Sequence, residues 1–144
     1  MKDLNNYDIY IFDYEGTLSE SPDHKLTLKE LLYEFDFKLL EPNKNIYNFV
    51  NSLKNKKIYV VGIIESNTEI DQKKAWLKMN YPIIEEENYI FISSDYKKSE
   101  AITEIINQYN YDKEKMIFID DKRQHIDDVS KLGIKSILVQ DIKD

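Results

Sequence analysis

Runs of about four apolar residues recur along the chain and are separated by stretches with a different periodicity. Such runs are typical of strands that are buried on both faces of a parallel sheet. They predict strands at residues 8–13, 58–61, 89–92, 116–119 and 136–139. The intervening stretches place an apolar residue every three or four positions, as amphipathic helices do. They predict helices at residues 27–35, 44–54, 68–79, 97–109 and 124–132.

Helix boundary signals accompany two of these helices. Thr27 and Glu30 have the spacing of a capping box. Gly133 follows the last helix, where a residue that adopts a positive φ easily is a common helix end. On or near the inner face of the 68–79 helix we expect Ile70, Ala75, Trp76 and Leu77.

The alternation of strands and helices predicts a parallel sheet with helices on both faces, joined by right-handed crossovers. The expected fold class is therefore α/β, a three-layer α/β/α sandwich with a mostly parallel, Rossmann-like sheet. The length of 144 residues suits a single domain covering 1–144. Hydrophobic residues make up 42% and charged residues 33%, as in soluble globular proteins.

Composition and charge narrow the functional classes. No run of eighteen apolar residues is available to cross a membrane, and the first residues lack the apolar core of a signal peptide, so we expect a cytoplasmic protein. The absence of cysteine excludes disulfides and thiolate metal ligands. A net charge of −7 disfavours nucleic acid as the main partner. A local basic patch that could still bind one phosphate contains Lys97, Lys98, Lys122 and Arg123.

Acidic residues follow the first and fourth predicted strands. Asp13 ends the first strand and Glu15 comes two residues later, while Asp120 and Asp121 end the fourth. The carboxyl ends of parallel strands share the sheet edge where α/β folds bind ligands, so these acids are expected to meet there. Clustered carboxylates resist joint ionisation unless a cation lies among them, and hard oxygen ligands suit Mg²⁺. A carboxylate in the position of Asp13 can also act as a nucleophile on phosphorus.

The residues around Asp13 resemble a known motif. Residues 13–18, Asp-Tyr-Glu-Gly-Thr-Leu, are similar to Asp-x-Asp-Gly-Thr-Leu, the first motif of the haloacid dehalogenase (HAD) superfamily of phosphohydrolases. The sequence departs from that motif at Glu15. Residues 116–126 resemble the fourth motif of the same family in its two-aspartate form, and the resemblance covers about residues 9–139.

The resemblance implies a Mg²⁺-dependent phosphatase that hydrolyses a phosphomonoester. Asp13 would form an aspartyl-phosphate, Glu15 would be the general acid and base, and Thr17 would contribute a hydroxyl for phosphate. Asp13 and the backbone carbonyl of Glu15 would hold the metal together with an acid of the fourth motif. We favour Asp121 for that position, with Asp120 orienting it or replacing it. The additional methylene of Glu15 moves the proton donor by about 1 Å, which can cost on the order of 10²-fold in rate.

Two further phosphate-binding positions follow from the resemblance. The second motif of the family is a Thr or Ser that ends the second strand, and here the position falls on Gly62, Glu65 or Ser66. Only Ser66 carries a hydroxyl, and a helix cap is the alternative role for it. The third motif is a lysine that neutralises nucleophile and phosphate, for which we favour Lys98 over Lys97.

Residues 19–57 have room for two short helices and not for a full cap domain, so an open site is expected. Its ligand would be a phosphorylated small molecule, such as a nucleotide or a sugar phosphate, or a phosphate on a larger molecule. A partner chain, including a second copy of this chain, could cover the site. His24 and His125 are expected to lie outside the acidic cluster.

Two alternative functions remain open at this point. The first is a catalytically weakened HAD-like protein that binds a phosphorylated ligand or a partner, which Glu15 and the uncertain second motif suggest. The second is a receiver domain, which also combines a parallel sheet, an acidic cluster and a lysine. Acids that flank Gly16 and Thr17 directly after the first strand fit a receiver domain badly.

Overall fold

A five-stranded parallel sheet forms the centre of this computed structural model, which describes residues 4–21 and 40–142. The strands are β1 (Ile9–Phe12), β2 (Lys57–Ile64), β3 (Tyr89–Ser93), β4 (Met116–Asp120) and β5 (Lys135–Leu138). They are arranged in the order β3-β2-β1-β4-β5, and each neighbouring pair is parallel. The predicted α/β fold with a parallel sheet is confirmed, and β1 is its central strand.

Four α-helices lie within the described ranges: α1 (Tyr47–Asn51), α2 (Thr68–Asn80), α3 (Lys98–Tyr109) and α4 (Arg123–Ser130). The bounds of α2 and α3 agree with the predicted helices to within one residue, whereas α1 is much shorter than the predicted helix 44–54. α4 ends at Ser130, two residues before the predicted end at 132, and Gly133, with φ +89°, lies in the turn that follows the helix. The predicted helix 27–35, with its capping pair Thr27 and Glu30, lies outside the described residues, as does His24.

Side chains on β1 alternate between two apolar clusters, one on each face of the sheet. Tyr10 and Phe12 pack in the cluster that includes α2, and Ile9 and Ile11 pack in the cluster that includes α3 and α4. Because successive side chains of a strand point to opposite faces, Asp13 continues on the side of α3 and α4. All four residues of β1 are buried, as the unbroken apolar run predicts.

The same alternation of side chains along β4 brings Asp120 to the face of the sheet on which Asp13 lies. Met116 and Phe118 belong to the cluster beneath α3 and α4, so Asp120 lies on that face as well. β1 and β4 are adjacent, with Phe12 paired to Ile119, so their carboxyl ends are level. The register therefore sets Asp13 beside Asp120 at the edge of the sheet from which α3 starts.

β2 is longer than predicted and extends past the end of β1. Phe12 pairs with Val60, whereas β2 continues to Ile64 through pairing with β3. A Cβ atom at Gly62 would lie 3.2 Å from Tyr14 Cβ, so the chain after β1 crosses closely over β2 at this position. The absence of a side chain at Gly62 permits that approach.

The inner face of α2 differs from the prediction in two positions. Trp76 and Leu77 are fully buried as expected, but Ala75 is exposed and Ile70 is only half-buried. Glu69 and Lys73 occupy the buried positions instead. Two charged residues can be buried in this way because they pair with each other, at 2.9 Å.

No helix among the described residues has both the length and the apolar character needed to span a membrane.

Candidate active site

Asp13 lies at the carboxyl end of β1 and is 7% exposed. Its backbone N–H donates to the carbonyl of Ile119 at 3.0 Å, which continues the ladder between β1 and β4 by one residue. Its carboxylate accepts hydrogen bonds on both oxygens, from Lys98 Nζ to Oδ1 at 2.5 Å and from Thr17 Oγ1 to Oδ2 at 3.0 Å. The carboxylate of Asp13 is therefore fixed in one orientation before any ligand binds.

The loop after Asp13 is a tight turn in which several backbone N–H groups donate to the same carbonyl. The N–H groups of Thr17, Leu18 and Ser19 all donate to the carbonyl of Tyr14, at 3.0–3.3 Å. Gly16 has φ +81°, and a Cβ atom there would lie 2.3 Å from Asp121 Oδ2. Glycine is needed at this position both for its backbone conformation and for the room that the Asp121 carboxyl takes.

Lys98 is the first residue of α3, and its ammonium lies between two carboxylates. It is 2% exposed, and Nζ is 2.5 Å from Asp13 Oδ1 and 2.9 Å from Asp120 Oδ2. Burial alone would lower the pKa of Lys98, but the negative charges of Asp13 and Asp120 outweigh it and hold the pKa above its ordinary value. Of the two lysines considered from the sequence, Lys98 is brought to the acids and Lys97 is exposed.

Asp120 has hydrogen-bond partners on both carboxylate oxygens. The N–H of Lys122 donates to Oδ1 at 3.0 Å, while Lys98 Nζ and His125 Nδ1 both lie 2.9 Å from Oδ2. Burial would raise the pKa of Asp120, but the hydrogen bond from His125 and the charge of Lys98 hold it well below its usual range. Asp120 is therefore an anion that orients its neighbours.

The expectation that His125 lies outside the acidic cluster is wrong. α4 begins at Arg123, directly after the end of β4, so its first turn places His125 beside the Asp120 carboxylate. His125 also lines the cavity described below. The short interval between the acidic pair and the predicted helix start was the sequence signal for this contact.

Asp121 lies next to Asp13 and has an unpaired polar atom. Its Oδ1 is buried and has no hydrogen-bond partner within the described part of the chain. Carboxylate oxygens of Asp13, Asp120 and Asp121 lie within 4.8 Å of one another. Burial first, and then the negative charge of Asp13, raise the pKa of Asp121 to about 8. An orphaned oxygen among three acids is an arrangement that suits a hard divalent cation.

Glu15 makes a contact that the sequence did not suggest. Its Oε1 lies 2.6 Å from Nζ of Lys73, which is completely buried on α2. The same ammonium pairs with Glu69 at 2.9 Å and donates to the carbonyl of Ile63 at 3.3 Å. Lys73, Glu69 and Glu15 therefore form a charged group on the β2 side of the site, separate from the contacts of Asp13.

The structure does not bring the predicted phosphate-binding Ser66 to the acids. Its hydroxyl lies 2.8 Å from the hydroxyl of Thr68 and accepts from the N–H of Thr68, the first residue of α2, at 3.2 Å, while the N-cap position of α2 is taken by Asn67. Glu65 is exposed, and Gly62 has no side chain to offer. Within the cavity, the residue that β2 contributes is Ile63.

A small cavity of about 60 Å³ lies over this cluster of residues. It is lined by Asp13, Tyr14, Glu15, Ile63, Lys122 and His125. One wall carries Asp13, which Lys98 and Thr17 hold in place. Another wall carries Ile63 and Glu15, and Glu15 is paired with Lys73. Thr17 itself is fully buried behind Asp13, so in this structure its hydroxyl orients the carboxylate.

A family model matches the C-terminal part of the chain. The family model described as "Protein of unknown function (DUF2608)" matches residues 79–136, which covers β3, α3, β4 and α4. None of the curated proteins compared with the chain matches it.

Structures from three bacteria are among the solved structures with a similar fold. A proposed phosphatase from Clostridium difficile is similar with a TM-score of 0.62 at 19% identity, and the match covers 91% of this chain and 84% of that one. A hydrolase from Streptococcus pneumoniae is similar with a TM-score of 0.60 at 12% identity, over 92% of both chains.

The third similar structure is the N-terminal part of a Bacteroides fragilis protein that contains a phosphatase domain, in complex with Mg. The TM-score is 0.59 at 17% identity, and the match covers 93% of this chain and 36% of that one. At these identities the three similarities establish the α/β fold.

Proposed function

We propose that this protein is a Mg²⁺-dependent phosphatase of the HAD type, which hydrolyses a phosphomonoester through an aspartyl-phosphate on Asp13. The observation that carries the proposal is the fixed carboxylate of Asp13, which lines the cavity and is held by Lys98 and Thr17 beside two further acids. The similarity to structures of phosphatases and a hydrolase supports the same conclusion.

The reaction would proceed in two displacements at phosphorus. In the first, an oxygen of Asp13 forms a bond to phosphorus, the ester P–O bond breaks, and the leaving oxygen takes a proton from Glu15. In the second, water attacks phosphorus and gives a proton to Glu15 as the bond to Asp13 breaks, which releases inorganic phosphate. The ammonium of Lys98, buried against Asp13, limits the build-up of negative charge when a phosphoryl group approaches.

The acids fit a Mg²⁺ ion. Asp13 and Asp121 would hold it, together with the backbone carbonyl of Glu15, as the family resemblance implies. Asp120 would orient the site, because both of its oxygens are already engaged by Lys122, His125 and Lys98. When bound, the ion supplies positive charge that offsets the charge of the transferring phosphoryl group.

We further propose that the substrate is a phosphorylated small molecule, such as a nucleotide or a sugar phosphate. The cavity is small and its lining is mostly polar, which suits a phosphate group more than a large apolar ligand.

A catalytically weakened protein that binds a phosphorylated ligand is the second candidate. The observation that favours it is the apolar Ile63 in the cavity, since a hydroxyl there would provide another hydrogen bond to phosphate.

Phosphate release from a panel of phosphomonoesters, with Mg²⁺ and with EDTA, distinguishes the two candidates. We expect Mg²⁺-dependent turnover by the wild type that is lost in Asp13→Asn. Binding of phosphorylated ligands without turnover would favour the second candidate.

A further inference from the structure

We propose that Lys73 is a positioning residue for Glu15 and sets the place from which Glu15 exchanges protons with the substrate. This role rests on the proposed phosphatase function, because it concerns the same cavity. Lys73 does not line the cavity, whereas Glu15 does, with its side chain 31% exposed. Lys73 therefore acts through Glu15 and not by contact with a ligand.

The ammonium group of Lys73 is held in one position because the side chain is buried among charged partners. The side chain is completely buried, and among the described residues its ammonium meets Glu15 Oε1 at 2.6 Å, Glu69 Oε1 at 2.9 Å and the carbonyl of Ile63 at 3.3 Å. A lysine is rarely buried to this extent unless it is paired, and shifting it would leave buried charges uncompensated.

Glu69 anchors this arrangement to the backbone. Its Oε2 accepts from the N–H groups of Glu65, at 2.7 Å, and Ser66, at 2.8 Å, while its Oε1 pairs with Lys73. The side chain of Glu69 is 5% exposed. Lys73 thus joins three segments that surround the cavity: the loop after β1, the end of β2 and the helix α2.

The consequence for Glu15 is a restricted side chain. A partly exposed glutamate ordinarily samples several rotamers, and holding it in the one that transfers the proton costs side-chain entropy. The contact of Glu15 Oε1 with Lys73 restricts the rotamers of Glu15 before the substrate binds. It leaves Oε2 as the oxygen that exchanges the proton with the substrate. An aspartate at this position would be one methylene shorter and would not keep the contact with Lys73 unless the loop moved.

A positioning role can be separated from a structural one by the basicity of the leaving group. Phenyl phosphate and 4-nitrophenyl phosphate have similar shapes, but phenyl phosphate releases the more basic oxygen and depends more on a proton from Glu15. A displaced Glu15 therefore slows phenyl phosphate more than 4-nitrophenyl phosphate. A general loss of folding or of binding slows both esters by the same factor.

The test uses the double variant Lys73→Met/Glu69→Gln, with Glu69→Gln alone as the matched control. Removing Lys73 alone would leave the buried charge of Glu69 unpaired, whereas glutamine at 69 retains an oxygen that can accept from the N–H groups of Glu65 and Ser66. We expect Glu69→Gln to affect both esters equally. We expect the double variant to lower kcat/KM for phenyl phosphate about tenfold more than kcat/KM for 4-nitrophenyl phosphate, because kcat/KM reports the step in which the leaving oxygen takes its proton. Thermal unfolding followed by circular dichroism confirms that each variant is folded.

Equal losses on the two esters, or no loss, would overturn the positioning role while leaving the phosphatase intact. Hydrolysis of neither ester by the wild type would overturn the proposed function, and this role with it. If the double variant does not fold, Lys73→Arg gives the same comparison with the charge retained. The role then predicts a selective loss on phenyl phosphate, because the donors are displaced, and equal effects on both esters would contradict it.

Discussion

The two walls of the cavity are built differently. On the β4 side, Asp13, Lys98, Asp120 and His125 form a continuous hydrogen-bonded group with Asp121 beside it. On the β2 side, Ile63 and Glu15 line the cavity, and the buried Lys73 contacts both of them and pairs with Glu69. The β4 side carries the proposed nucleophile and metal ligands, and the β2 side positions the proposed proton donor, Glu15.

The two sides of the cavity differ because they would have different roles in catalysis. A nucleophile and a metal site require specific acids at fixed places, so few residues can substitute for them. A wall that contacts the substrate can vary, and here it contributes no side-chain hydrogen-bond donor from β2 among the residues that line the cavity. We therefore expect substitutions on the β4 side to abolish activity and substitutions on the β2 side to modulate it.

The largest effect is expected for Asp13→Asn. Asparagine keeps the shape of the side chain but is not a nucleophile, so kcat/KM should fall on the order of 10³-fold or more, measured as phosphate release. The matched control is Asp8→Asn, which changes an exposed aspartate just before β1, at the other end of the strand. Comparable losses in the two variants would mean that Asp13 has no special role.

Metal binding on the β4 side should depend on pH through Asp121. The pKa of this carboxyl is raised to about 8 in the folded protein, compared with about 3.9 in an unfolded chain. A raised pKa stabilises the folded state below about pH 4, and this stabilisation is lost as the pH rises to about 8. In EDTA, Tm should therefore fall as the pH is raised from 6 to 9.

Addition of Mg²⁺ should offset that loss, because the ion binds the ionised carboxylate. We expect saturating Mg²⁺ to raise Tm by about 5 °C at pH 9 and by less at pH 6. Asp121→Asn should remove most of this difference between the two pH values. A Mg²⁺-induced shift in Tm that is the same at both would contradict a metal site that includes Asp121.

On the β2 side, Ile63→Thr should strengthen the binding of phosphate. The substitution puts a hydroxyl on the cavity wall, where it can donate to a phosphate oxygen, and we expect KM for 4-nitrophenyl phosphate to fall about 3- to 10-fold. Ile64→Thr is the matched control, since adjacent residues of a strand point to opposite faces and Ile64 does not line the cavity. An equal response in both variants would show that the effect does not come from the cavity.

The smallest effect is expected for Ser66→Ala. Because the Ser66 hydroxyl contacts Thr68 at the start of α2, its loss should change kcat/KM by less than about twofold and cost about 0.5–1 kcal/mol of stability. Denaturant unfolding and steady-state kinetics measure the two quantities. A large rise in KM with unchanged stability would restore Ser66 as a phosphate-binding residue.

The sequence predicted the fold and the β4 side well because both depend on local patterns. Apolar runs marked every strand within the described residues, and the acids directly after β1 and β4 were placed at one sheet edge by the parallel topology alone. Lys98 was found through the resemblance to the third motif of the family, near the predicted start of the helix that follows the third strand. His125 was missed because the contact depends on how the first turn of α4 folds back on Asp120.

The β2 side could not be predicted in the same way. Hydrophobic periodicity assigns charged residues to the solvent face, so it could not show that Lys73 and Glu69 are buried as a pair while Ala75 is exposed. The length of β2 is set by its pairing with β3, which continues to Ile64 after the pairing with β1 has ended. The predicted end of the strand at residue 61 therefore led to Gly62, one residue before the isoleucine that lines the cavity.

The most direct test of the account is to look for the phosphoryl group on Asp13. The protein is mixed with Mg²⁺ and 4-nitrophenyl phosphate and quenched in acid within the first turnover, and its peptides are analysed by mass spectrometry. The account predicts a phosphoryl group on Asp13 that is absent in Asp13→Asn and disappears as substrate is exhausted. Turnover with no phosphoryl group on Asp13, or with one on another residue, would contradict it.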